Sequence, residues 1–296
     1  MEQFEKIGPA LLVRAPAKIN LSLLIAGKRP DGFHELKTIM AKIDWMDELL
    51  FEPTDKPGID LTCTGPCWAP DGEENLVYRA CQKLYDHIGK PPRVKVTLKK
   101  NIPAGTGLGS ASSDAAAALL GLNRFENLAL DSYILYEFAA QLGSDIPFFL
   151  YGPLAFCTGR GEKIQQINKI VDFSALLIIP SVSVSTASVY KNYIHENEQF
   201  IVLENKINRI LKEKNVDSVA EICANMLEKS CFQLHGELKQ LRSHIKTLCN
   251  KEVCLSGSGS ALFMLFPRDD DLVSHYHSVI SEQLGCRCRI VYNNRW

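Results

Sequence analysis

Long apolar runs are missing from this sequence; none approaches the roughly 20 consecutive apolar residues of a membrane-spanning helix. A surplus of positive charge is missing as well. Lys and Arg number 33 against 34 Asp and Glu, for a net charge of −1. A chain that grips duplex phosphates by bulk electrostatics carries a cationic excess. Any anionic ligand must therefore be held locally, by backbone amides and a few placed lysines. A cysteine framework is absent too. The ten cysteines are scattered, and their close pairs, Cys63 with Cys67 and Cys286 with Cys288, have neither zinc-finger nor thioredoxin spacing. Residues 1–18 lack the charged, apolar, then small-residue pattern of a signal peptide. These absences lead to the expectation of a cytoplasmic protein with reduced, mostly buried thiols and with neither a membrane nor a nucleic-acid partner. Internal repeats and low-complexity tracts are also lacking. With 46% hydrophobic and 23% charged residues, the 296-residue chain has ordinary globular composition, suited to one large domain or two of middling size.

What is present is strand-like and helix-like patterning around glycine-rich loops. From Ala17 to Leu23 apolar and polar residues alternate, the period of a half-buried strand with Lys18, Asn20 and Ser22 on one face. Arg29-Pro30-Asp31-Gly32 reads as a turn, and Val94–Leu98 as a second alternating strand. A glycine-rich loop, 101–111, is followed by an alanine-rich helix to about Leu122, with Ser112, Ser113 and Asp114 as its expected caps. Another helix is expected from Asp131 to Leu142, ended by Gly143. In the second half, Leu176–Pro180 reads as a buried strand. Helical spacing fills about 201–250, with Ile207, Ile210 and Leu211 in phase, and a strand runs over Ala261–Phe266. The lysine- and amide-rich stretch Lys163–Lys169 leads to the expectation of a boundary near 165.

The strongest chemical signal is the loop. Gly105, Gly107 and Gly109 let the backbone adopt positive φ and approach a ligand closely. Successive amides in such a loop converge on an anion, and the following helix N-terminus adds donors and a positive dipole end. A triphosphate suits that arrangement, with Ser112 and Ser113 as donors to phosphate or as Mg²⁺ ligands. No Gly-Lys-Ser/Thr ending makes it a Walker A loop, and its glycine spacing is not that of a dinucleotide fingerprint. Asp114 is the acidic residue closest to it. Lys18 with Asn20 can hold a phosphate or substrate oxygen, although an isolated Lys-x-Asn is more often an exposed edge-strand face. Asp145, between Gly143-Ser144 and Ile146-Pro147-Phe148-Phe149, is either a helix cap or a part-buried carboxylate needing a cationic partner such as Lys18. Ser256-Gly257-Ser258-Gly259-Ser260, taken alone, reads as a tight turn. Phe33-His34 and Tyr190 can flank a flat ring, or can simply be rim and core.

Taken together and in this order, these segments resemble the GHMP kinase superfamily. Among them, Arg29–Leu36 and Gly143–Phe149 narrow the resemblance to its branch acting on a cytidine-diphosphate-linked methylerythritol. The resemblance spans about 16–260. It implies an α/β (α+β) fold of two domains, 1–165 binding ATP and 166–296 completing an active-site cleft, in a monomer or weak homodimer. It implies ATP and Mg²⁺ as cofactors and phosphorylation of the 2-hydroxyl of the cytidyl substrate in non-mevalonate isoprenoid synthesis. By motif match Lys18 and Asp145 are catalytic. Pro103, Ala104, Gly105, Thr106, Gly107, Leu108, Gly109, Ser110, Ala111, Ser112 and Ser113 hold the nucleotide. Asn20 contacts the methylerythritol, and Phe33, His34, Thr186 and Tyr190 surround the cytidine. Three departures stand out. Thr106, Ser110 and Ala111 occupy places where the family usually has glycine, Phe33 replaces a frequent Tyr, and the proline common near Thr186 is missing. The alternatives are a GHMP kinase acting on homoserine, mevalonate or a sugar, and a non-catalytic nucleotide-binding module.

Overall fold

A computed structural model describes residues 2–168, 172–213 and 223–296, with no account of the side chains at 210–213. Its organising feature is a long antiparallel hairpin, β2 (Ala10–Lys28) on β3 (His34–Pro53), paired from Leu11 opposite Phe51 to Lys28 opposite His34 with register shifts at Pro16/Ala17, Asn20/Ser22 and Ile25/Gly27. The expected turn closes it, with the Gly32 amide donating to the Arg29 carbonyl at 3.1 Å and Gly32 at φ 86°.

Strands this long cannot stay flat or keep one set of neighbours. The Glu48–Pro53 end of β3 pairs with β5 (Arg93–Lys99), beyond which lies β4 (Gly58–Thr64). The Leu36–Ala41 end pairs with β6 (Leu154–Gly159), which carries β7 (Lys163–Gln166). The short β1 (Phe4–Ile7) lines the start of β2. Helices α1 (Leu76–Ile88), α2 (Ser110–Phe125) and α3 (Ser132–Leu142), with the single-turn α4 (Ile146–Phe149), pack on the first half of this sheet. The alanines of α2 permit close approach to the strands. At Gly121 an added Cβ would lie 2.5 Å from the Phe51 ring.

A second, four-stranded antiparallel sheet is ordered β10 (Cys254–Leu255), β11 (Leu262–Pro267), β8 (Phe173–Ile179), β12 (Arg287–Tyr292). Around it lie α5 (Thr186–Lys191), α6 (Asn197–Glu213), α7 (Glu228–Leu234), α8 (Gly236–Cys249) and α9 (Leu272–Leu284). One apolar cluster joins Ala17, Ile19, Leu21 and Leu23 to Ala175–Ile178 and Leu262–Met264, so the two sheets share a core. A two-residue strand, β9 (Ala224–Asn225), returns to run parallel to β2. The expected boundary near 165 falls inside β7, and the change of sheet comes between Gln166 and Phe173; Lys169 lies outside the described residues. Among the described residues, no helix is long and apolar enough to cross a membrane.

Three expectations need correction. Ala17–Leu23 is not half buried, because Lys18, Asn20 and Ser22 are only 3%, 5% and 1% exposed; Lys18 and Asn20 face a cavity, and the Ser22 hydroxyl accepts from the Ile39 amide of β3. The helix α2 starts at Ser110 with Gly109 as its cap, so Ser112, Ser113 and Asp114 lie within its first turns instead of capping it. The helical pattern over 201–250 is interrupted by β9 between α6 and α7 and at His235 between α7 and α8, with 214–222 and the side chains of Ile210 and Leu211 outside the described residues. The helix at 132–142 starts as expected, with the Asp131 carboxylate accepting from the Ile134 amide at 2.9 Å.

Candidate active site

A cavity of about 960 Å³ opens where the middle of β2, the glycine loop, α4, α5 and the Ser256–Ser260 turn converge. Residues 103–112 line one side of it. The loop's three glycines sit at φ 70°, 74° and 70°, in the left-handed region. For Gly107 the requirement is also steric, since an added Cβ would stand 2.1 Å from the Ser256 carbonyl oxygen. The loop is thus pressed against the second-half turn, with the Ser256 hydroxyl donating to the Gly107 carbonyl at 3.0 Å and the Ala261 amide to Thr106 at 3.0 Å. Among the described residues no protein acceptor meets the amides of Gly105, Thr106, Gly107 and Leu108, and the first-turn amides of α2 lack intrahelical acceptors. Such an array suits an anion.

The glycine replacements are absorbed without strain. Thr106, Ser110 and Ala111 all avoid positive φ. The Thr106 hydroxyl donates to the Pro103 carbonyl at 2.9 Å, and the Ser110 hydroxyl turns inward to Asp47 at 2.9 Å. Ser113 departs from expectation: it is 1% exposed, does not line the cavity, and its hydroxyl lacks a partner. Asp114 also points inward, its Oδ2 accepting from Lys100 Nζ at 2.6 Å. Burial holds the Asp114 carboxyl well above its usual range.

Opposite the loop, Lys18 Nζ donates to the Gly107 carbonyl at 2.8 Å and to Asn20 Oδ1 at 2.6 Å, and it lies 3.6 Å from Asp145 Oδ2. Burial lowers the Lys18 pKa from its ordinary value, and Asp145 opposes that shift. Asp145 precedes α4 without capping it, which leaves its 36%-exposed carboxylate facing the cavity. Asn20 lines the cavity, but its amide is already engaged, with Oδ1 on Lys18 and Nδ2 donating to Thr38 Oγ1 at 2.9 Å.

The far end of the cavity is aromatic. The His34 ring lies 5.3 Å from Tyr190 at 33° and 5.7 Å from Tyr193 at 87°. Burial, then Lys28 and His195, lowers the His34 pKa, favouring the neutral ring. Phe33 is 51% exposed, and the Arg160 guanidinium sits over its ring at 5.0 Å. The hydroxyls of Thr186 and Ser258 share a hydrogen bond of 2.8 Å, which fastens α5 to the Ser256–Ser260 turn. That turn therefore belongs to the site, with Gly257 and Ser258 in the lining.

Sequence reasoning missed Tyr193, Ser258, Arg160, Lys28 and Lys191, which also line the cavity. Tyr193, three residues beyond Tyr190, and Ser258, in a turn already singled out, had a readable signal; the others had none. Among the described residues, no three His, Cys, Asp or Glu gather as a metal site, and Asp145 is the one carboxylate of the lining. Magnesium keeps several waters and takes few protein ligands when it travels with phosphates. A lining with one carboxylate and the Ser112 hydroxyl at the helix start fits it.

Residues 75–153 match the family model described as the GHMP kinases N terminal domain. Over 269 residues the chain is 37% identical to a 4-diphosphocytidyl-2-C-methyl-D-erythritol kinase of Bacillus cereus (strain B4264), covering 91% of this chain and 92% of the relative. It is 38% identical over 266 residues to the enzyme of that name from Prosthecochloris aestuarii (strain DSM 271 / SK 413), covering 88% and 91%. A crystal structure of 4-(cytidine 5'-diphospho)-2C-methyl-D-erythritol kinase superimposes with TM-score 0.76 at 31% identity, covering 96% of this chain and 99% of that one. Homoserine kinase from Cytophaga hutchinsonii gives TM-score 0.77 at 16% identity over 100% and 98% of the two chains, a likeness of fold alone.

Proposed function

Since the chain belongs to the 4-diphosphocytidyl-2-C-methyl-D-erythritol kinase family, we propose that it carries the ATP-dependent reaction of that family with Lys18 and Asp145 as its catalytic pair. It is a phosphotransferase of isoprenoid precursor biosynthesis, passing the γ-phosphoryl group of ATP to the 2-hydroxyl of 4-diphosphocytidyl-2-C-methyl-D-erythritol. The observation that carries the residue assignment is the position of Lys18 Nζ, on the Gly107 carbonyl at 2.8 Å and 3.6 Å from Asp145. One ammonium thereby joins the phosphate loop to the cavity's carboxylate.

Phosphoryl transfer asks a protein chiefly for positioning and for charge stabilisation. In this reading the amides of Gly105–Leu108 and of the first turn of α2 receive the triphosphate. Residues 1–165 supply this nucleotide site, and 166–296 close the cleft through Ser258, Thr186 and Tyr190. Asp145 accepts the proton of the attacking hydroxyl, and Lys18 stabilises charge on the oxygens in transit. Phe33, His34 and Tyr190 hold the cytidine, whose ring places the 2-hydroxyl near Asp145. Asn20 is held by Lys18 and Thr38, so it orients Lys18 besides lining the methylerythritol end. Mg²⁺ arriving with the nucleotide would be met by the Ser112 hydroxyl and would supply further neutralisation of phosphate charge.

A coupled ADP-release assay with Asp145→Asn tests the pair. Loss of the base and of the charge next to Lys18 should cut kcat by about 10²–10⁴-fold. A variant with wild-type kcat removes Asp145 from the mechanism. Running homoserine and mevalonate beside the cytidyl substrate tests the acceptor, which should be the cytidyl compound alone.

A further inference from the structure

Beneath the glycine loop, outside the cavity, lies a buried charged cluster that the reaction does not use. Asp47 on β3 is 0% exposed, Lys100 2% and Asp114 3%. Asp47 Oδ1 accepts the amides of Asn101 at 2.6 Å and Ile102 at 2.9 Å, the residues that enter the loop. Its Oδ2 accepts the hydroxyl of Ser110, the residue that leaves the loop, at 2.9 Å. Lys100 Nζ bridges Asp47, Ser110 and Asp114.

We propose that Asp47 is the positioning residue of the phosphate loop, its two carboxylate oxygens clasping residues 101–102 and 110 so that the amides between them are ordered before nucleotide arrives. This rests on the reading of the loop as the ATP site. A segment of this length pays closure entropy to bring its ends together. Fixing both ends on one rigid strand residue removes that cost from the binding step, which is how preorganisation raises affinity. A carboxylate accepting several hydrogen bonds suits the task, since charged acceptors make the stronger bonds. The cluster need not repel a triphosphate. Lys100 balances one carboxylate, and burial holds Asp114 toward its neutral form. Ser110 is one of the residues in a place where the family usually has glycine, and its hydroxyl is what extends the clasp to the exit of the loop. A residue acting through the loop in this way should govern nucleotide binding and leave the acceptor alcohol untouched.

The test is Asp47→Asn, with Ser110→Ala as the smaller cut, read by calorimetric ADP affinity, by KM for each substrate, and by thermal midpoint. ADP binding to the wild-type chain tests the functional reading; the ratio of variant to wild type tests Asp47. The expected result for Asp47→Asn is at least a tenfold rise in KM for ATP and in the ADP dissociation constant, with KM for the cytidyl substrate within twofold. Ser110→Ala should raise KM for ATP severalfold. The double variant should lose less than the product of the two effects, since both cut one clasp. If Asp47→Asn does not fold, Ser110→Ala decides alone through the same split between the two KM values. A lowered thermal midpoint with both KM values unchanged, equal rises in the two, or fully multiplicative effects in the double variant would overturn the proposal.

Discussion

Lys18 occupies surroundings that work against its own charge. At 3% exposure its ammonium has left water for a carbonyl, an amide oxygen and a carboxylate, and burial wins over Asp145 in setting the direction of its pKa. A cation so placed is compensated by few, oriented partners, the condition under which charge stabilisation is strongest. Tyr190 has a simpler task. Its ring packs beside His34 at the wall that receives the cytosine in the proposed reading. Stacking of a base on an aromatic ring contributes about 1–3 kcal/mol. Tyr190→Ala should therefore raise KM for the cytidyl substrate tenfold or more with KM for ATP within twofold, while Tyr190→Phe stays near wild type. Steady-state kinetics with each substrate varied in turn checks this. That Lys18, Asp145, His34 and Tyr190 would gather at one cavity was legible because each lies in a short, ordered motif. Asp47 was not legible. It stands 53 residues before Lys100 on a strand whose pattern gives no hint of a partner, and only the pairing of β3 with β5 brings the two together.

Among elements, the glycine loop separates two kinds of need for glycine. Gly105 and Gly107 share a positive φ, yet a Cβ at Gly105 meets only the Ser183 hydroxyl, at 3.9 Å, whereas at Gly107 it meets the Ser256 backbone at 2.1 Å. Gly105→Ala should bring backbone strain alone, on the order of 1–2 kcal/mol. Gly107→Ala must push the loop off the Ser256–Ser260 turn, displacing the carbonyl that Lys18 Nζ and the Ser256 hydroxyl both use. Displacements of about 1 Å near the reacting groups can cost about a hundredfold in rate. Measured side by side, kcat/KM for Gly107→Ala should fall about a hundredfold or more, and that for Gly105→Ala about tenfold or less. The loop itself was readable from its glycines. Its cap was misplaced because Ser112-Ser113-Asp114 has cap chemistry, and a glycine in the left-handed region started the helix one turn earlier.

At the scale of the whole molecule, the same pairing of distant segments decides which lysines are buried. The alternation around Lys18 was readable, but not that a second sheet would cover its apolar face while the glycine loop and the Ser256–Ser260 turn close over the polar one. Lys42, on β3, shows the consequence. It is 1% exposed, its Nζ donates to the carbonyls of Phe149 at 3.2 Å and Tyr151 at 2.5 Å behind α4, and the Trp296 ring lies 6.0 Å away. Burial lowers its pKa from 10.5 to about 7. Between that pH and the ordinary lysine range the unfolded chain binds more protons than the folded one, so the Lys42 contribution rises with pH there, while its penalty is fully present below. Buried thiols such as Cys81 and Cys157, whose pKa values burial raises, pull the opposite way once unfolded thiols ionise above about 8.5. The clear window is therefore pH 7 to 8. Across it the stability of wild type relative to Lys42→Met, from urea unfolding, should grow by about 1 kcal/mol. Taking the difference cancels the thiols, Lys18 and His34, and the carbonyls that Met leaves unbonded add only a pH-independent offset. A difference that stays flat from pH 7 to 8 would mean that Lys42 keeps its proton in the folded chain.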